Sequence, residues 1–238
     1  MFLKFINNAE TERRPMSTQK SNNENLSPSA LRRQREREHR YQTILAAAET
    51  LFAKEGYHKS SMELIANASE MSVGAVYFYF KNKEDLIIQL MNEIGYLMRK
   101  TLGTVFKQHG ATMEGFKQAG YAFFEDFCVN YPEKCAILFR ESVGKSPEVE
   151  DHRKKLFDKC TGDVRDALMA VCKNQGLTFK GKYSAEVIPV SIMGIYERVA
   201  YQYLFWQDES HGIQLIGKDA VTFLIGGVNN LINESTKA

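Results

Sequence analysis

The chain has 238 residues, 44% hydrophobic and 25% charged, enough for one large or two modest domains with a substantial core. Its 5 prolines and 16 glycines are too few turn residues for a strand-rich sandwich, and its apolar runs fall far short of a bilayer span. Net charge is only +2, but 13 Lys/Arg stand against 9 Asp/Glu through Lys83 and 18 against 20 beyond it, so positive charge gathers where phosphate would be met.

The chain opens Met1-Phe2-Leu3-Lys4-Phe5-Ile6 and turns polar, without the apolar stretch of a secretory signal; the cytoplasm is the expected compartment. Residues 1–30 are polar and aperiodic and read as a disordered arm. Met16 lies inside it, an alternative start of translation to Met1. Then R-R-Q-R-E-R-E-H-R runs from Arg32 to Arg40. It reads equally as a solvated helix start or as a basic arm reaching nucleic acid.

From Tyr41, the apolar residues Ile44, Leu45, Ala48, Leu51 and Phe52 recur at helical spacing, and Gly56 suits the position after the helix. Ser60 with Glu63 three residues on has capping-box spacing and predicts a second helix over 62–68. After the break Ser69-Glu70-Met71, Ser72 is the expected cap of a third helix over 73–80. Asn82 is expected to cap a long helix that starts K-E-D-L, with Glu84 and Asp85 at its positive end. Beyond Gly110 helices are predicted over 113–130, 132–143, 147–174, 183–206 and 218–230, with no strand. The fold class is all-α.

Two short helices joined by a tight break, after a longer supporting helix, make a helix-turn-helix unit, placed at 31–83. The second short helix of such a unit enters the major groove by its N-terminal end. Here that end is Ser72-Val73-Gly74-Ala75, small enough for close approach. Val73, Val76 and Phe80 form a stripe expected to pack inward; Gly74, Tyr77, Phe78 and Lys81 form one expected to face out. V-Y-F-Y-F alone would read as a buried strand or core helix; the serine before it and K-N-K after it favour a short exposed helix.

The stretch I-L-A-A-A-E-T-L-F-A-K-E-G-Y, followed by S-S-M-E-L-I-A-N-A-S-E-M-S-V-G-A-V-Y-F-Y-F-K-N-K-E-D-L, closely resembles the N-terminal domain of TetR/AcrR transcriptional regulators. The resemblance covers about Arg40 to Leu90. It implies a homodimer on an inverted-repeat duplex, a repressor released by a small molecule. It also implies that Tyr77 and Lys83 hold phosphates, that Ser61 touches the DNA backbone, and that residues 72–75 with Phe78 and Tyr79 lie in or beside the major groove. Tyr79 stands where many members carry histidine.

By the same resemblance, 84–238 is a ligand-sensing and dimerising domain. Its aromatic segments, 116–127 and 196–206, suggest a largely apolar ligand, aromatic or acyl-bearing. Phe123, Phe127, Arg140 and Tyr196 are the candidate ligand residues. Gly194, Gly226 and Gly227 cost about 1 kcal/mol each inside helices, which close approach of a second helix would offset; they are the candidate dimer contacts. Cys128, Cys135, Cys160 and Cys172 form no C-x-x-C pair and the histidines are dispersed, so neither metal nor cofactor is expected. Two rival readings are weaker. An all-helical enzyme lacks a Ser/His/Asp set, metal cluster or phosphate-cradling loop, and an architectural DNA-binding protein leaves the acidic remainder without a role.

Overall fold

A computed structural model describes residues 27–207 and 212–234. Residues 1–26, including Met16, and His211 lie outside the described residues.

Helix α1 spans Pro28–Glu55, far upstream of Tyr41 and into the expected arm. Local chemistry explains the start: the Ser27 hydroxyl accepts from the Ala30 N–H at 3.3 Å, and Pro28 sits where no helical donor is missed. It stops at Gly56, whose φ of 87° would strain any residue with a side chain. Then α2, Met62–Ala68, and α3, Val73–Tyr79, form the two short helices. Helix α4 runs Lys83–His109, opened as expected by Asn82, whose side chain accepts from the Asp85 N–H at 2.8 Å.

The second half holds α5, Met113–Ala122, α6, Pro132–Ala136, α7, Pro147–Gln175, α8, Ser184–Tyr201, and α9, Ile213–Asn230. Helices α5, α6 and α8 each run on into a wider π-helical turn: Phe123–Cys128, Ile137–Glu141 and Gln202–Trp206. The first of these brings Phe123, Phe124 and Phe127 all inward. Against the expectation of no strand, β1, Leu177–Phe179, and β2, Ile232–Glu234, form a two-stranded antiparallel ribbon, and α9 starts five residues before the expected 218. Each strand is three residues, too short to show alternation, and the partners lie far apart in the chain.

One buried cluster runs from Tyr41, Ile44 and Phe52 in α1 through Val76 and Phe80 to Leu86, Ile87 and Leu90 in α4. It continues into Phe123, Phe127, Leu168 and Ile192. Burying an aromatic or branched side chain contributes about 1.5–3 kcal/mol, so α4 is fastened at both ends by core packing. No described helix is long and apolar enough to cross a membrane.

Candidate nucleic-acid interface and ligand cavity

The cap of α2 is Ser61, whose hydroxyl accepts from the Leu64 N–H at 3.2 Å. Ser60, the expected cap, is buried and donates to the Gly56 carbonyl at 2.9 Å, holding the loop before α2. Ser72 caps α3 as expected, accepting from the Ala75 N–H at 3.2 Å. The turn between the helices takes a left-handed residue at Glu70, φ 54°.

Helix α3 presents a split surface. Tyr77 and Phe78 are 49% and 68% exposed, Lys81 is exposed, and a Cβ added at Gly74 would meet nothing within 4 Å. Val73, expected inward, is 38% exposed at the rim. Tyr79, expected at the groove, is instead 8% exposed and packs edge-on against Tyr41. It falls three residues after Val76, on the stripe that buries Val76 and Phe80.

Lys83 is also differently placed. Its ammonium donates to the carbonyls of Tyr57 at 2.8 Å and Ser60 at 2.7 Å and lies 4.4 Å from the centre of the Tyr57 ring. It therefore ties the N-terminus of α4 to the loop before α2. Desolvation, with repulsion from Lys145, lowers its pKa. Two of its three N–H groups are committed to these carbonyls.

A second junction joins the halves. Glu141 accepts from the Tyr57 N–H at 2.8 Å and from Arg140 Nε at 2.6 Å. Arg140 Nη2 donates to the Ala53 carbonyl at 2.9 Å, and Lys134 grips the Glu49 carboxylate at 2.6 Å. Arg140 thus belongs to this junction, with its guanidinium 5.0 Å from the Phe205 ring centre, and not to the cavity where it was expected.

The cavity lies where α4, α5, α7 and α8 meet, with about 730 Å³ free of atoms, open mouth included. Its walls are apolar: Met98, Leu102 and Phe106 of α4, Phe116 of α5, Phe123 of the π-helical turn that follows it, Val164 of α7, Ile192 of α8. Phe123 and Tyr196 line it as expected, their rings stacked at 4.9 Å. Phe127 does not; it stacks behind Phe123 at 6.0 Å. The charged lining residues, Arg99 and Asp163, are paired with each other, one contact being Nη2 to Oδ1 at 3.2 Å. Burial pushes the Cys160 thiol up to about 12, so it lines the wall as a protonated, unreactive group. Such a cavity suits an apolar molecule and offers no activated nucleophile.

Residues 44–90 match the sequence profile of the bacterial regulatory proteins of the tetR family. Over 54 residues the chain is 43% identical to the fatty acid metabolism regulator protein of Bacillus subtilis. Residues 44–90 are thus a tetR-type DNA-binding segment. That match covers 23% of this chain and 28% of the length of the curated relative. The whole fold resembles that of the fatty acid degradation regulator FadR from Bacillus halodurans, with TM-score 0.70 and 21% identity over 79% of this chain and 96% of that one. It also resembles the transcriptional regulator FadR from Bacillus subtilis in complex with stearoyl-CoA, with TM-score 0.69 and 18% identity over 79% and 98%.

The three candidate dimer glycines all lie open, Gly194 on α8 and Gly226 and Gly227 on α9. Gly194, Gly226 and Gly227 are exposed, and a Cβ added at any of them would meet nothing within 4 Å. On the same two helices Val187, Val190, Leu215 and Phe223 are 53–74% exposed. The residues that sequence reasoning missed are Glu49 and Lys134. Their partners are non-local, so no spacing rule could have found them.

Proposed function

We propose that the protein is a dimeric, sequence-specific DNA-binding regulator, a repressor that leaves an inverted-repeat operator when a long acyl chain fills the cavity. The observation that carries this reading is the double role of α4. Its first residue braces the helix-turn-helix, and its later turns wall the cavity. Residues 72–75 and Phe78 meet base edges, while Ser61, Tyr77, Lys81 and the third N–H of Lys83 meet phosphates. The open faces of α8 and α9 join two chains, because an apolar patch of this kind calls for a partner. In this division 31–83 reads DNA and 84–238 senses and dimerises.

The ligand class follows from the walls. An open cavity with apolar walls, apart from a self-neutralised ion pair, takes a hydrocarbon tail and leaves a charged headgroup at the mouth. The Bacillus subtilis FadR of like fold is in complex with stearoyl-CoA, which supports an acyl thioester over an aromatic. A ligand shifts the equilibrium only by its differential affinity for the two states, and operator DNA must weaken ligand binding by the same factor. Titrating stearoyl-CoA with and without the promoter fragment that the protein selects from its genome tests both parts. The expected coupling is about 5–150-fold. Equal affinities in the two titrations rule out induction by acyl-CoA.

A further inference from the structure

Helix α1 begins more than three turns before the core requires it. Residues 28–40 bury no side chain fully, yet the cap at Ser27 and the proline at 28 start a regular helix there. Chain periodicity fixes which way the segment faces. Ala48 and Ile44 are fully buried, and stepping back by four, three and four residues from Ile44 reaches Arg40, Arg37 and Arg33. The stripe that carries core side chains therefore carries arginines once the core ends.

That stripe adjoins the exposed face of α3. The Arg37 guanidinium lies 5.7 Å from the centre of the Phe78 ring, and Tyr41, one turn on, stacks on Phe80 at 5.0 Å. The acidic residues of the segment are engaged elsewhere: Glu36 holds Arg32 at 2.8 Å, and Glu38 accepts from the Gln42 amide at 3.2 Å. Arg32 depresses the Glu36 carboxyl, and Arg40 adds to that pull from beyond ion-pair distance. Arg33 donates to the Ser29 carbonyl at 3.4 Å. Among the described residues none of the three arginines is paired with a carboxylate. Glu36, four residues before Arg40 and three after Arg33, gives its carboxylate to Arg32, and no acid stands three or four residues from Arg37, where a merely solvated face would carry one.

We propose that Arg33, Arg37 and Arg40 form a second nucleic-acid surface that binds phosphates of the duplex flanking the segment read by α3. The inference rests on α3 facing DNA. At about 1.5 Å per residue the stripe extends about 10 Å, alongside roughly six phosphate charges of a duplex. Guanidinium groups suit the task, since they stay charged and pair bidentately with phosphate.

The test uses the full-length protein with the combined Arg33→Gln, Arg37→Gln, Arg40→Gln substitutions. Salt titrations are run on a random duplex and on the genome-selected promoter fragment, with long flanks and with flanks trimmed to the inverted repeat. On random and long-flank DNA the variant should show a log–log salt slope shallower by about 0.9 for each arginine lost. On the trimmed fragment the difference from wild type should shrink. Arg32→Gln with Arg35→Gln, on the other faces of the helix, should leave the slope nearly as it is. An all-lysine version of the stripe should retain the slope and covers the case in which the glutamine variant misfolds. Unchanged slopes in the folded glutamine variant overturn the proposal while wild-type DNA binding stands, and so does a change confined to base preference. A wild type that binds no duplex overturns the underlying reading instead.

Discussion

The carboxylate of Glu141 accepts a hydrogen bond from the Tyr57 N–H at 2.8 Å, 84 residues earlier in the chain. Its other oxygen is held by Arg140, which also reaches the Ala53 carbonyl at the end of α1. The π-helical turn at Ile137–Glu141 delivers both side chains to one place. The helix-turn-helix unit is thus held twice, by α4 at Lys83 and by the π-helical turn after α6 at Glu141. A rigid coupling needs such a second point, because one helix alone leaves the unit free to pivot.

Glu141→Ala should therefore cost about 1.5–3 kcal/mol, the range for a buried hydrogen bond to a charged group. Glu141→Gln keeps an acceptor and should cost less. Urea melts give the stability, and the ligand–operator coupling factor should fall in the alanine variant. A loss within about 0.5 kcal/mol of zero, as at ordinary surface positions, would show that the junction carries no load.

How legible this was in the sequence depends on range. Ser72 and Asn82 cap the helices they were expected to cap because capping is a contact across three residues. Ser60 and Ser61 are adjacent and chemically alike, and the choice between them is made by the Gly56 carbonyl that takes the Ser60 hydroxyl. Tyr79 is instructive in another way. Periodicity alone puts it on the stripe of Val76, and it was the resemblance to members with histidine there that drew it toward the groove. The cavity aromatics were visible as a class, but which of Phe123 and Phe127 faces the space depends on the π-helical register at the end of α5. Arg140 and Glu141 stand out as charges inside an apolar helix, but the contacts of Glu141 with Tyr57 and of Lys134 with Glu49 cross more than 80 residues, so no spacing names the partners.

Lys83→Met should act on two levels. Two carbonyls lose their donor, so the loop before α2 loosens and DNA affinity falls on operator and random duplex alike. The remaining N–H is lost to phosphate as well, so the salt slope should become shallower by about 0.9 per protomer. Desolvation and Lys145 already burden this ammonium, and a phosphate would relieve that burden. Weaker binding with an unaltered slope would make Lys83 a brace alone.

His152 on α7 gives the fold an acid-sensitive contact with α4, its Nε2 lying 2.9 Å from Asn92 Oδ1. Desolvation, reinforced by Lys159 and Lys155 against the opposing pull of Asp151, lowers its pKa below the ordinary imidazole value. The fold thus prefers the neutral ring. Its contribution is complete above the unfolded-state pKa, about 6.5, and is lost as pH falls through the lowered folded-state value. Thermal melts at pH 7.5 and pH 5 should show a smaller acid-induced drop for His152→Gln than for the wild type. Equal drops would assign the acid sensitivity to other groups.

Gly227→Phe should affect the single chain and the assembly in opposite directions. Within one chain a Cβ at position 227 meets nothing within 4 Å, so the side chain has room. Replacing an interior helical glycine also recovers a few tenths of a kcal/mol of helix propensity. A partner helix packed against this face has no such room, and overpacking costs about 1–3 kcal/mol at each of two symmetry-related positions. Sedimentation should therefore show a folded variant shifted from dimer toward monomer, with binding to the inverted repeat weakened far more than binding to a single half-site. A variant as dimeric as the wild type would move the interface away from α9, and a wild type that is monomeric at micromolar concentration would remove it altogether.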